Sequence, residues 1–205
     1  MTSKEDKRQE IMTAIETLFT NRGIHEITTE DIAREAKVGK GTLYRYFQNK
    51  DDLFFQTIVS GFDELCSLLS HKIPNNIPFT EQLLCACKEI RAFFNKRRQL
   101  LTMMQTEEGH MFCEKKNIHD QWKKKRKMLV TTLAEIIKNG VTEGEVRSDI
   151  SPEILAYFLL AMLKTQAKEF SAYPFSIRQP ELIVDLFFKG VKKHSSDFII
   201  PKREA

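Results

Sequence analysis

The feature that most constrains this chain is how clearly its helices begin. Thr28 is followed three residues later by Asp31, Asn49 by Asp51 and Asp52, and Ser151 by Pro152 and Glu153. Each pattern joins a short polar side chain, able to accept from the first free backbone N–H groups, to an acid suited to the positive helix end. Proline at the first helical position costs no hydrogen bond. Between such starts, apolar residues recur at helical spacing, as in Ile11, Ile15 and Leu18, or Leu53, Phe54, Ile58, Phe62, Leu65 and Leu69. The spacing predicts long helices over about residues 4–22, 50–71, 80–96 and 114–139, with two short ones between Thr28 and Phe47. Thr80 is the expected cap of one and Asn139-Gly140 the expected stop of another. Residues 99–112 read as a short helix plus a loop, and Gln179-Pro180-Glu181 opens the last helix. No period-2 strand pattern or repeat occurs, so the fold class is all-α with about nine helices.

Composition narrows the function classes. Only 8 glycines and 6 prolines occur in 205 residues, below the average share of about 12%. The Met1-Thr2-Ser3-Lys4-Glu5-Asp6-Lys7-Arg8 start cannot be the apolar core of a signal peptide, and four cysteines are too few for a disulfide scaffold. A cytoplasmic location is expected. The longest apolar run, Ile154 to Leu163, falls far short of the ~20 residues needed to span a bilayer, so no membrane partner is expected. No Gly-rich phosphate loop, nucleophile elbow or Cys-x-x-Cys pair is present, which argues against an enzyme, and no cofactor is implied. The net charge of +4 is too small for indiscriminate polyanion binding. Its distribution is more telling, because Lys37, Lys40, Arg45 and Lys50 lie in a window without a single acid.

That window belongs to two short helices meeting across a tight turn, the pattern of a helix-turn-helix. Ile32, Ala33, Ala36, Val38, Leu43 and Phe47 supply apolar contacts small enough for a close crossing. Lys40, Thr42, Tyr44, Arg45 and Tyr46 are left to project outward, with hydroxyls and cations suited to base edges and phosphates. The start of the second helix offers backbone N–H groups of its own to a phosphate.

Residues 28–50, with Asp51-Asp52-Leu53 after them, resemble the DNA-binding domain of TetR/AcrR-family transcriptional regulators. The resemblance rests on Asp31-Ile32-Ala33, then Val38-x-Lys40-Gly41-Thr42-Leu43-Tyr44-x-Tyr46-Phe47, then Lys50. It implies a helix-turn-helix DNA-binding domain over residues 1–50 and an effector-binding and dimerisation domain over 51–205. The implied function is that of a ligand-responsive repressor, binding a near-palindromic DNA operator as a homodimer. Carried over by position, Thr28 or Thr29 contacts phosphate and Glu30 lies near the groove. Lys40, Gly41, Thr42, Tyr44 and Arg45 stand at or beside base edges, and Tyr46 and Lys50 contact the backbone. Two departures occur: Lys37 stands where the family often has Gly, and Gly39 where it often has Ser.

The rest of the chain matches only in architecture. Two helices near its end are apolar nearly all round, and such helices need cover on every side. A second copy would provide it, with Leu155, Phe158, Leu159, Met162, Ile183, Leu186 and Phe187 as candidate interface residues in a four-helix contact. Phe93, Phe94, Met103, Met104, Phe112 and Trp122 are candidate lining for a small-molecule effector pocket. A helix-turn-helix protein without an effector is the alternative, as is a metal or redox sensor using His110, Cys113 and His119, or Cys85 and Cys87. The spacing of these groups fits no recognised metal motif, and residues two apart on a helix point ~200° apart, so no metal ligand is assigned. The run Lys123 to Lys127 circles its helix and reads as solvated.

Overall fold

A computed structural model describes residues 4–22, 26–74, 76–96 and 116–192. These residues form eight α-helices, against the nine or so expected, and no strand. They are α1 (Lys4–Asn21), α2 (Thr29–Glu35), α3 (Lys40–Tyr46), α4 (Lys50–His71), α5 (Phe79–Lys96), α6 (Lys116–Thr142), α7 (Pro152–Glu169) and α8 (Pro180–Val191). Two short 3₁₀ turns, Phe170–Ala172 and Phe175–Arg178, join α7 to α8. The short helix expected within 99–112 lies outside the described residues.

Three of the four expected caps hold. Thr28 accepts from the Asp31 amide while the Asp31 carboxylate accepts from the Thr28 amide, a closed capping box. The Asn49 side chain accepts from the Asp52 amide at 2.8 Å, and Ser151 caps α7. Thr80 does not cap α5, which starts at Phe79, with the Pro78 carbonyl accepting from Glu81 and Gln82. The start moves forward because Phe79 is fully buried and packs towards Phe188 on α8, 6.2 Å between ring centroids.

Asn139-Gly140 does not end α6 either. The helix runs on to Thr142, and Gly140 is a packing residue: a Cβ there would come within 2.7 Å of the Phe79 ring. Missing side-chain volume, rather than backbone freedom, is what α5 needs at that point. The helix closes instead at Gly144 (φ 77°), with Glu145 donating to the Gly140 carbonyl and Gly144 to that of Val141. This is a Schellman ending with glycine in its usual left-handed place.

The helices share one core. Ile11, Ile15, Ile27, Ile32, Leu43 and Phe47 close α1, α2 and α3 over the first turns of α4, where Leu53 and Phe54 are buried. Further along, α6 packs against α4, α5 and α7, and α7 against α5 and α8. Between the two parts, Arg8 reaches Gln56 on α4 at 3.0 Å and its guanidinium lies over the Phe47 ring, while Lys96 at the end of α5 pairs with Glu16 on α1 at 2.9 Å. The three-helix head is therefore tied to the larger body at α4 and again at α5. No described helix is long and apolar enough to cross a membrane.

Candidate nucleic-acid interface

The turn between α2 and α3 repeats the ending of α6 with a different residue. Val38 donates to the Ala33 carbonyl and Lys37 to that of Arg34, and Lys37 takes the left-handed position at φ 52°. A side chain there costs roughly 1–2 kcal/mol, which glycine would avoid. Val38 packs on the core, so the motif sets the angle at which the chain enters α3. Gly39 then caps α3 from extended backbone with no side-chain hydrogen bond.

On α3, Leu43 is fully buried and Phe47 follows it inward, so the opposite side faces solvent. That side presents Lys40, Gly41, Tyr44 and Arg45, all exposed, with Thr42 half-buried beside them. Gly41 has nothing within 4 Å of an added Cβ, leaving open space above its backbone. Arg45 lies over the Tyr46 ring at 5.5 Å, which holds the guanidinium against a half-buried aromatic instead of leaving it to sweep through water. At the head of α4, Lys50 is half-buried above Phe54, 5.3 Å from the ring centroid, and burial draws its pKa below the ordinary lysine value. Thr28 is exposed and Thr29 half-buried at the start of α2, where Thr29 donates to Glu30 at 3.0 Å. All nine residues expected at DNA thus lie on α2 or its N-cap Thr28, on α3, or at the first residue of α4.

Sequence spacing missed the charges that organise this face. Lys40 donates to Glu30, ten residues earlier, and joins the start of α3 to the start of α2. The bond lowers the Glu30 pKa and raises that of Lys40. No local rule pairs residues ten apart; only the crossing of two short helices brings them together. Asp31, already committed to the Thr28 cap, also receives Arg34 and, at 3.5 Å, Arg22. The Thr28 amide and hydroxyl, with these guanidiniums behind them, hold its carboxyl down at about 2.

Elsewhere the candidates divide. Phe93 and Phe94 are buried and Trp122 half-buried, linked through Phe62: Phe62 meets Trp122 at 5.1 Å and Phe93 at 5.0 Å, both edge-on. A cleft of about 150 Å³ opens beside Phe93, bounded by Gly61, Leu65, Glu89 and Lys96. Met103, Met104 and Phe112 lie outside the described residues, as do His110 and Cys113, and the His119 side chain is not described. Cys85 is exposed and Cys87 buried, its thiol pushed up to about 12 by the loss of water, so the two do not converge. Among the described residues no group of three or more His, Cys, Asp or Glu side chains is placed to hold a metal.

Of the seven candidate interface residues, Leu155, Leu159, Ile183 and Phe187 are covered by the chain's own core. Phe158 and Leu186 are more than half exposed, Met162 is half-buried, and Ile154 and Tyr157 join them outside. The apolar surface of these helices is thus divided between an inner half on the core and an outer half left exposed. In the basic run, Lys125 pairs with Asp63 on α4 and Arg126 lies over Tyr157 on α7. These cations point to different neighbours and form no stripe.

Residues 11–57 match the family model described as bacterial regulatory proteins, tetR family. Over 163 residues, covering 77% of this chain and 77% of the relative, the chain is 28% identical to the HTH-type transcriptional repressor BepR of Brucella suis. It is 42% identical to the HTH-type transcriptional regulator HbdR of an Aromatoleum strain over 59 residues, 29% of this chain and 26% of that one. In fold it is similar to the transcriptional regulator FadR of Bacillus subtilis in complex with stearoyl-CoA, with a TM-score of 0.71 at 16% identity, covering 89% of this chain and 98% of that one. A TetR transcriptional regulator from Streptomyces coelicolor gives 0.62 at 22% identity, covering 90% and 98%.

Proposed function

From the premise that this chain is a TetR/AcrR-family DNA-binding transcriptional regulator, we propose that it acts as a ligand-responsive homodimeric repressor of a near-palindromic operator. The observation that carries the reading is that one molecule exposes two unlike surfaces: the cationic, hydroxyl-bearing face of α3, and the apolar outer face of α7 and α8. Ile154, Tyr157 and Phe158 recur at helical spacing, and Leu186 on α8 adds a fourth large apolar side chain. Pairing this face with a second copy makes an isologous contact and presents two heads related by a two-fold axis. Each α3 then enters a major groove, with half-sites about one helical turn, ~34–36 Å, apart. Thr42, Tyr44 and Arg45 read base edges. Lys40 stands beside them, exchanging or sharing its bond to Glu30 on binding, and Tyr46 and Lys50 hold phosphates. Lys37 adds a cation at the same edge.

The effector reading centres on the aromatic path from Phe94 through Phe93 and Phe62 to Trp122. It crosses α5 and α4, the helices that tie the body to the head, and α6, which packs on both, so a ligand spreading it would alter where each head stands. The stearoyl-CoA complex of the similarly folded FadR is consistent with a ligand in such a body. Selection of bound sequences from random DNA, at a stated salt concentration, tests the function directly. An inverted repeat with half-sites one turn apart is expected, and recovery of no preferred sequence would sink the proposal.

A further inference from the structure

Among the described residues two glutamines are buried, both in the body of the molecule, and they differ in one atom. Gln82 on α5 donates to the Ile77 carbonyl at 2.8 Å, and its own carbonyl accepts from Asn139 on α6 at 3.1 Å. Gln166 on α7, only 3% exposed, donates to the carbonyls of Ile177 and Gln179 at 3.0 and 2.9 Å, fastening the segment that leads into α8. Its Oε1 is buried with no hydrogen-bond partner. Turning the amide over offers no remedy, because that oxygen would then face two carbonyl oxygens. An acceptor left in this state costs free energy, and a donor arriving beside it recovers that cost.

Gln166 is also part of the wall of an open cleft of about 350 Å³ between α5, the end of α7 and the approach to α8. Among the described residues the wall includes two guanidiniums, Arg91 and Arg178, together with Asn95, and no carboxylate. Arg91 uses one Nη to donate to the Arg178 backbone carbonyl, which leaves the rest of its fork available. Arg178 is exposed and lies over the ring of Phe175, which is 72% exposed and forms an apolar lip. Glu181, three residues beyond Arg178, is paired with Lys88 at 3.1 Å and also feels the charge of Arg91.

We propose that this cleft is a binding site for a small hydroxy-carboxylate, whose carboxylate is held by Arg91 and Arg178 and whose hydroxyl donates to Gln166 Oε1. Two forked cations select a planar anion. Gln166, in the same wall, brings the unpartnered acceptor, which a bare anion cannot satisfy and a hydroxyl can. The exposed side chains of Arg178 and Phe175 are the parts that shift to admit it. The volume is that of about twelve waters at about 30 Å³ each, which suits a short-chain acid. The site is separate from the aromatic path proposed for the effector. Its occupant would lock the α7–α8 junction on to α5, beside the face proposed to pair with a second copy.

Calorimetric titration of the full-length protein with lactate, glycerate and gluconate tests this, with propionate and glycerol as probes lacking the hydroxyl or the carboxylate. Saturable binding of at least one hydroxy acid is expected, with neither control binding. Arg178→Ala, an exposed substitution whose folding is checked by helicity and thermal melting, should weaken binding about tenfold or more, the scale of one lost charge-assisted hydrogen bond. In glutamine-labelled protein, the Gln166 side-chain amide signals, assigned with Gln166→Met, should shift on addition of the acid that binds. Absence of binding by all three acids, equal binding of propionate, unchanged affinity in Arg178→Ala, or unmoved Gln166 signals would each overturn the proposal. Operator binding, read separately, distinguishes that failure from failure of the DNA-binding reading.

Discussion

The head and the outer face of α7 and α8 hide the same kind of residue and expose opposite kinds. In the head, Leu43 and Phe47 go inward while Lys40, Tyr44 and Arg45 stay out, held by Glu30 and Tyr46. On α7, Leu155 and Leu159 go inward, yet Ile154 and Phe158 stay out as well. Solvent is a tolerable resting state for the first surface and a costly one for the second. The head is finished as a single chain and waits for a polyanion. The α7–α8 face leaves large apolar side chains in water, and covering it would stabilise by about 25 cal/mol for each Å² removed from water.

Breaking the apolar side of this contrast should have the largest effect. Phe158→Glu with Leu186→Glu places like charges in the proposed contact, and sedimentation should show a monomer that retains its helicity but has lost operator binding. A dimer that survives both changes would remove the basis for pairing through this face. Next come the positions proposed to read bases. Thr42→Ala or Tyr44→Ala should relax preference at single operator positions by about 1–3 kcal/mol each. Lys50→Ala should weaken all sequences alike and flatten the salt dependence by about one unit of slope. Binding curves across a set of operator variants and salt concentrations separate the two outcomes.

Smaller effects test the internal fit. Gly140→Ala drives a methyl group into the Phe79 ring and should cost about 1–3 kcal/mol in denaturant melts, as overpacked sites do. The two Schellman endings make a matched pair. Gly144→Ala has free space for its methyl and suffers only from the backbone, so it should lose about 1 kcal/mol, while Lys37→Gly should gain somewhat less than that and lose some affinity for DNA. If Lys37→Gly gains nothing, the left-handed lysine is not strained. Smallest is the cap of α2. Because the Asp31 carboxyl is held below its ordinary value of 3.8, at about 2, its contribution is complete above pH 4 and disappears as pH falls from about 4 to 2. Amide exchange in α2 should quicken over that window, and Asp31→Asn should abolish the dependence.

Local signals carried far into both regions. The caps at Thr28, Asn49 and Ser151, the inward positions of Ile32, Leu43 and Phe47, and the outward positions of Lys40, Tyr44 and Arg45 all follow from spacing within a few residues. The start of α5 and the end of α6 were misjudged for one shared reason. Phe79 and Gly140 fit each other across two helices, and neither residue alone reveals it. Among the candidate interface residues, the sequence marked α7 and α8 as apolar all round but did not divide them. Which side faces the body depends on where α5 and α6 lie, and that placed Leu155, Leu159, Ile183 and Phe187 inside.

The sequence by itself determined the helical class, the positions of most helix starts, and a head whose turn, cations and hydroxyls are set within residues 28–50. Those features depend on backbone capping and periodicity, which act over one or two turns. The Glu30–Lys40 link, the Phe79–Gly140 fit, the exposed half of α7 and the orphaned oxygen of Gln166 were decided only by tertiary structure. Each arises where residues distant in the chain compete for the same space or the same hydrogen bond, and that competition has no local signature.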